Sequence, residues 1–156
     1  MMVMRSKLIL RVVSKLLIPF ILLFGLYVQW HGDFGPGGGF QAGVIFAAAF
    51  MLYGIIFGLG TLREVLPAWL TRSLMSIGVL LYAGVGVVTM LRGAHFLGYD
   101  VLASTPTGGQ HIGILLVEAG VGITVFSAII TIFCAFAGRA AADVNPSDDQ
   151  LDEVER

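Results

Sequence analysis

Apolar positions along this chain gather into four long runs, residues 8–30, 40–59, 69–91 and 112–136. Each is close to or beyond the ~20 residues that a helix needs to cross the hydrocarbon of a bilayer. Three short polar or glycine-rich stretches, 31–39, 60–68 and 92–111, separate them. The pattern predicts an all-α membrane protein of four transmembrane helices.

Within the runs, small residues recur at helical spacing. Gly39, Gly43, Ala47, Gly54 and Gly58 share one side of the second predicted helix. On the fourth, Gly113, Gly120, Thr124, Ser127 and Thr131 form a similar stripe. Small residues let backbones approach where lipid gives no hydrophobic drive, so Gly43, Ala47, Gly54, Gly58, Gly113 and Gly120 read as helix-packing positions. Glu118 projects from nearly the opposite side of the fourth helix, with Gly122 one turn above it. A carboxylate should not face lipid, so that helix is expected to be covered on both sides. That need points beyond the three other helices of this chain, to a larger assembly. In the first helix, Pro19 predicts a bend and Lys15 reads as a side chain reaching back to the head groups.

Composition sharpens the class. Residues are 57% hydrophobic and only 12% charged, and 21 of 156 are glycine. Ordinary soluble domains carry about 25% charge, so a water-soluble core is excluded. We expect one transmembrane domain over 1–139 and an acidic, solvated tail over 140–156. The tail holds Asp143, Asp148, Asp149, Asp152, Glu153 and Glu155, six of the ten acids. The net charge of −1 argues against a nucleic-acid partner, and the single Cys134, read as a buried small hydrophobe, excludes a disulfide framework. The first run has a basic flank, as a signal peptide would. It is long and lacks a small-x-small cleavage site, so a retained helix is expected. Arg5, Lys7, Arg11, Lys15, Arg63, Arg72, Arg139 and Arg156 fall on one side of the four-span layout and only Arg92 on the other, which predicts both termini in the cytoplasm. No internal repeat marks a transporter of two inverted halves.

The residues able to carry chemistry are few. Glu118 is the only acid well inside a span. A charge near mid-membrane costs on the order of 2.5 to 3.5 kcal/mol, which makes it an ion-path or coupling candidate. His31, His95 and His111 fall on the predicted outer side with Asp33 and Asp100, opposed only by Arg92. His111 lies two helical turns before Glu118, so Glu118, His111, Asp33 and His31 outline a mildly acidic vestibule. No pair has a metal-ligand spacing such as HxxxH, so no metal is expected. Nothing resembles a nucleophile with its base, a phosphate-cradling loop or paired haem ligands, so neither an enzyme active site nor a cofactor is expected. The run HGDFGPGGGFQAG, from His31 to Gly43, is the most unusual local feature. Its three consecutive glycines place bare N–H groups at a helix start, where the dipole favours an anion or a carbonyl. Gly37 to Ala42 also fit a loose GxGxxA nucleotide fingerprint, but no strand precedes them and no βαβ unit can form.

The longer string HGDFGPGGGFQAGVIFAAAFMLYGIIFG, from His31 to Gly58, resembles the signature of the MnhB/MrpB-type chain of the multisubunit monovalent cation/proton antiporters called Mrp or Mnh. The motif falls on His31, Gly32, Pro36, Gly37, Gly38, Gly39, Phe40, Gln41 and Gly43. Ala42 stands where many relatives carry glycine. The resemblance implies an accessory membrane subunit of a bacterial inner-membrane complex that exchanges Na⁺ for H⁺, partnered by other membrane subunits, needed for assembly and bordering the ion path. The same module occurs in related membrane-bound hydrogenase and oxidoreductase assemblies, and a purely structural spacer remains an alternative reading.

Overall fold

The computed structural model describes residues 8–32 and 37–144, with side chains as far as Arg139. Asp33, Pro36 and the tail from 145 onward lie outside the described residues. Among the described residues five α-helices follow in order: α1 (Leu8–Trp30), α2 (Gly39–Phe57), a short α3 (Leu59–Val65), α4 (Ala68–Leu91) and α5 (Pro106–Val144), with one 3-10 turn at Tyr99–Val101 before α5. Leu8–Trp30, Gly39–Phe57, Ala68–Leu91 and Pro106–Arg139 are long and apolar enough to cross a membrane. α1 continues through Pro19 as one helix.

Three boundaries differ from the pattern of apolar residues; one is the end of α5, which runs to Val144, past the fourth run and into the stretch expected as a tail. The second run extends to Leu59, but the helix stops at Phe57. Gly58 has φ 101° and ψ 152°, ending α2 by donating its N–H to the Gly54 carbonyl at 3.0 Å. Gly58 is therefore the terminator of α2, one position past its last helical residue. The seven residues of α3 restart from it, and Leu62 N–H donates to the Gly58 carbonyl at 3.1 Å. The fourth helix begins six residues before its apolar run, at Pro106, a residue suited to a first turn because it lacks an N–H.

α5 is the central helix, flanked by α4 and α2, and α1 packs mainly on α2 while also touching α5. The contacts are backbone on backbone. A Cβ placed on Gly78 of α4 would stand 2.7 Å from the Gly120 carbonyl oxygen, and one on Gly43 of α2 would stand 2.6 Å from that of Gly122. The Gly120 and Gly122 sides of α5 are thus both covered from within the chain. α2 and the turn before it lie over Gly122 and Glu118, while α4 lies over Gly120. Gly113 packs on neither helix but against the ring of Tyr99. The stripe hydroxyls bond inside α5 instead of bridging helices: Thr124 to the Gly120 carbonyl (2.8 Å), Ser127 to Ile123 (2.6 Å) and Thr131 to Ser127 (2.7 Å).

The buried apolar cluster sits toward the α3 end, where Ala47, Leu62, Leu66 and Ile130 pack with Phe50, Phe126, Phe133 and half-buried Cys134. Gly54 makes room for it, since a Cβ there would stand 2.8 Å from Leu62 Cδ2. Lys15 is exposed, its Nζ 5.7 Å from the centre of the Phe57 ring.

Candidate functional site

The chain passes from α1 to α2 through a turn docked on the end of α1. His31 N–H donates to the Tyr27 carbonyl at 3.0 Å, and Gly38 N–H returns to the Val28 carbonyl at 3.2 Å. The three consecutive glycines answer three separate constraints. A Cβ on Gly37 would stand 2.8 Å from the Val28 carbonyl oxygen. Gly38 has φ 114°, a conformation closed to side-chain-bearing residues. A Cβ on Gly39 would fall on the backbone carbonyl oxygen of Glu118.

The carboxylate of Glu118 lies against the same turn. A Cβ on Gly32 would stand 2.5 Å from both of its oxygens, and one on Gly38 would stand 2.9 Å from Oε1. Gly32, Gly38 and Gly39 therefore close over Glu118 with bare backbone. Gly38 is the N-cap of α2 and offers no side-chain hydrogen bond to it. The first N–H groups of any helix lack intrahelical acceptors, and the helix dipole makes that end electropositive. One residue of α5 thus brings both an anion and a carbonyl to the start of α2. Counted from Pro106, Glu118 lies about 18 Å along α5 at the usual rise per residue.

The remaining sequence candidates are spread out. His31 is half-buried, its ring stacked on Tyr27 at 5.2 Å between centroids. His111 is exposed two turns before Glu118, His95 is exposed in the loop after α4, and Phe40 and Gln41 are also exposed. Arg92 donates to the Val101 carbonyl at 2.8 Å, and Asp100 accepts from Gln110 at 2.6 Å. These contacts knit residues 92–110 into a polar cover at the Glu118 end of the bundle. Burial, reinforced by nearby Tyr82, pushes the Tyr99 phenol above its ordinary range. Among the described residues no three His, Cys, Asp or Glu side chains come together as a metal site.

Residues 9–131 match the family described as "Domain related to MnhB subunit of Na+/H+ antiporter". The chain belongs to the MnhB family. The matched stretch contains the glycine turn and Glu118. Proteins named as antiporter subunit mnhB2 in Staphylococcus aureus strains Newman, JH1 and COL are each 37% identical to this MnhB-family chain over 136 residues. That alignment covers 85% of this chain and 96% of each relative. Four apolar helices and this family membership make it a multi-pass bacterial membrane protein of a transporter-subunit family.

One polar residue of the MnhB-family fold escaped the reading of the sequence. Gln29 of α1 borders an apolar cavity of about 360 Å³ with Phe46, Phe50, Ala119, Gly122 and Phe126. A Cβ on Gly122 would stand 3.0 Å from its Oε1, and its buried Nε2 has no hydrogen-bond partner among the described residues. The available signal was simple: Gln29 is the one amide in the first apolar run.

Proposed function

We propose that this chain is an accessory membrane subunit of a multisubunit Na⁺/H⁺ antiporter, working beside other membrane subunits and not as a transporter alone. Na⁺ and H⁺ are then the ions of the complex. The reading is carried by the family match over residues 9–131, which spans all four membrane helices and almost the whole length of the mnhB2 relatives. The bias of basic residues supports an orientation with both termini in the cytoplasm and the Glu118 end of the bundle facing outward.

Within that role Glu118 is the coupling residue. Among the described residues it is the one acid held inside the bundle, and it joins α5 to the turn that starts α2, so a change in its charge acts on two helices at once. His31 flanks that turn, and His111 lies two helical turns before Glu118 on α5. Two measurements test the reading. Mass spectrometry of a gently solubilised, affinity-purified sample should recover antiporter subunits; recovery of hydrogenase or other redox subunits would transfer the chain to the related machines. Everted vesicles from cells lacking this chain should lose Na⁺-driven proton exchange, and retained exchange would overturn the proposal.

A further inference from the structure

At the opposite end of the bundle from Glu118, α3, α4 and α5 enclose a pocket of about 400 Å³ lined by Arg63, Ala68, Thr71, Arg72, Thr131 and Ala135. We propose that this pocket binds the phosphodiester headgroup of an anionic phospholipid. Both arginines are exposed, and among the described residues neither is in an ion pair. Arg63 lies along α5, where its Nη2 is 3.4 Å from the Cys134 carbonyl oxygen, so its guanidinium keeps donors to spare. Glu64, next in sequence, points about 100° away around the helix.

The start of α4 lies in the same pocket. Pro67 is its N-cap, and its carbonyl takes the N–H groups of Leu70 (2.9 Å) and Thr71 (3.3 Å). The N–H groups of Ala68 and Trp69 have no acceptor within the helix, and the dipole of a 24-residue helix adds positive potential there. Two guanidinium groups and a helix start converging on one cavity suit phosphate geometry. Depth agrees as well. Trp69 in this first turn is 67% exposed, as expected of a ring at the head-group level, and Thr131 and Ala135 lead from the pocket along the α4–α5 crease toward the membrane interior, a path for an acyl chain. Basic pockets between membrane helices at the side where arginine gathers are the usual seats of acidic head groups.

Trp69 provides the test. The chain has two tryptophans, so Trp30→Phe leaves Trp69 as the sole reporter. Full-length protein carrying that change, reconstituted in phosphatidylcholine, is titrated with brominated phosphatidylglycerol. Quenching of Trp69 should saturate, with apparent affinity falling about fivefold for Arg63→Gln or Arg72→Gln and roughly 25-fold for both, as ~1 kcal/mol per cation implies. Arg63→Lys and Arg72→Lys, which keep the charge, should retain most of the affinity. Arg11→Gln, at the same end but outside the pocket, should retain all of it. Equal quenching by brominated phosphatidylcholine, or an unchanged double variant, would overturn the proposal. So would displacement of the lipid by millimolar inorganic phosphate with the same arginine dependence, which would make this a free-anion site.

Discussion

A single added methyl group at Gly39 should loosen the whole bundle, whereas the same change at Gly84 should tighten it. In Gly39→Ala the new Cβ falls on the Glu118 carbonyl oxygen, and neither atom belongs to a side chain that can rotate away. One turn further along, Gly43 lies so close to the Gly122 carbonyl that a Cβ would stand 2.6 Å from it. Relief therefore requires α2 and α5 to part, which weakens contacts at both turns and the cover over Glu118. Overpacking of a close core contact costs ~1 to 3 kcal/mol, and the immobility of both atoms puts Gly39→Ala near the top of that range. At Gly84, inside α4, a Cβ meets nothing within 4 Å. There the substitution acts mainly through helix propensity, with a gain of about 0.5 to 1 kcal/mol. The two variants should be compared with the native chain by denaturant titration of the full-length protein in mixed micelles, read by circular dichroism. The predicted separation of about 3 to 4 kcal/mol has opposite signs at its two ends. A Gly39→Ala protein that unfolds at the native midpoint would refute the backbone contact on which this account of the site depends.

Other substitutions probe the two ends of the bundle. Thr89 is fully buried, donates to the Gly86 carbonyl at 2.8 Å and accepts from Leu97 N–H at 3.1 Å, so Thr89→Val should cost ~1 to 3 kcal/mol by orphaning that N–H. Thr89→Ser should restore most of the loss in the same titration, and a failure to do so would assign the effect to packing. The raised Tyr99 phenol contributes stability that is full below the ordinary tyrosine pKa of 10.0 and is lost as pH rises through its higher folded value. Spectrophotometric titration near 295 nm should therefore lose a late-ionising phenol in Tyr99→Phe, and the alkaline fall in stability should flatten. Glu118→Gln keeps the shape of the side chain but not its charge; complexes should still assemble while Na⁺/H⁺ exchange in everted vesicles drops. Normal exchange would remove Glu118 from the transport role.

Much of the architecture was legible because lipid imposes length and apolarity on any helix that crosses it. The runs marking α1, α2, α4 and α5 stand out for that reason. What the runs could not show is where a helix stops inside an apolar stretch. Gly58 is one glycine among several with helical spacing, and its positive φ is set by the turn into α3. The covering of α5 was hidden for a related reason. Glu118 and Gly43 are 75 positions apart, and only the crossing of α2 over α5 brings the glycine turn onto the carboxylate. A count of neighbouring helices gave no sign that the backbone of Gly32, Gly38 and Gly39 lies against Glu118. His111 shows the converse. Its spacing from Glu118 is correct for one helical face, yet it is exposed two turns away, because periodicity fixes direction around a helix and not enclosure.

The nature of that cover bears on why Glu118, ahead of the histidines, belongs first in transport assays. Arg92, the sole basic residue in the two polar stretches at this end of the bundle, is directed to the Val101 carbonyl, while glycine backbone closes over the acid. A helix start presents partial positive charge, equivalent to about half an elementary charge, held in fixed position by the helix itself. Such a field acts on the charge of an acid placed against it, so a change in the protonation of Glu118 would be felt by the first turn of α2. His95 and His111 are exposed, whereas Glu118 lies against the turn that starts α2. The glycines over Glu118 thus have a consequence beyond sterics: they let its carboxyl group lie against the start of α2 and fix its position there.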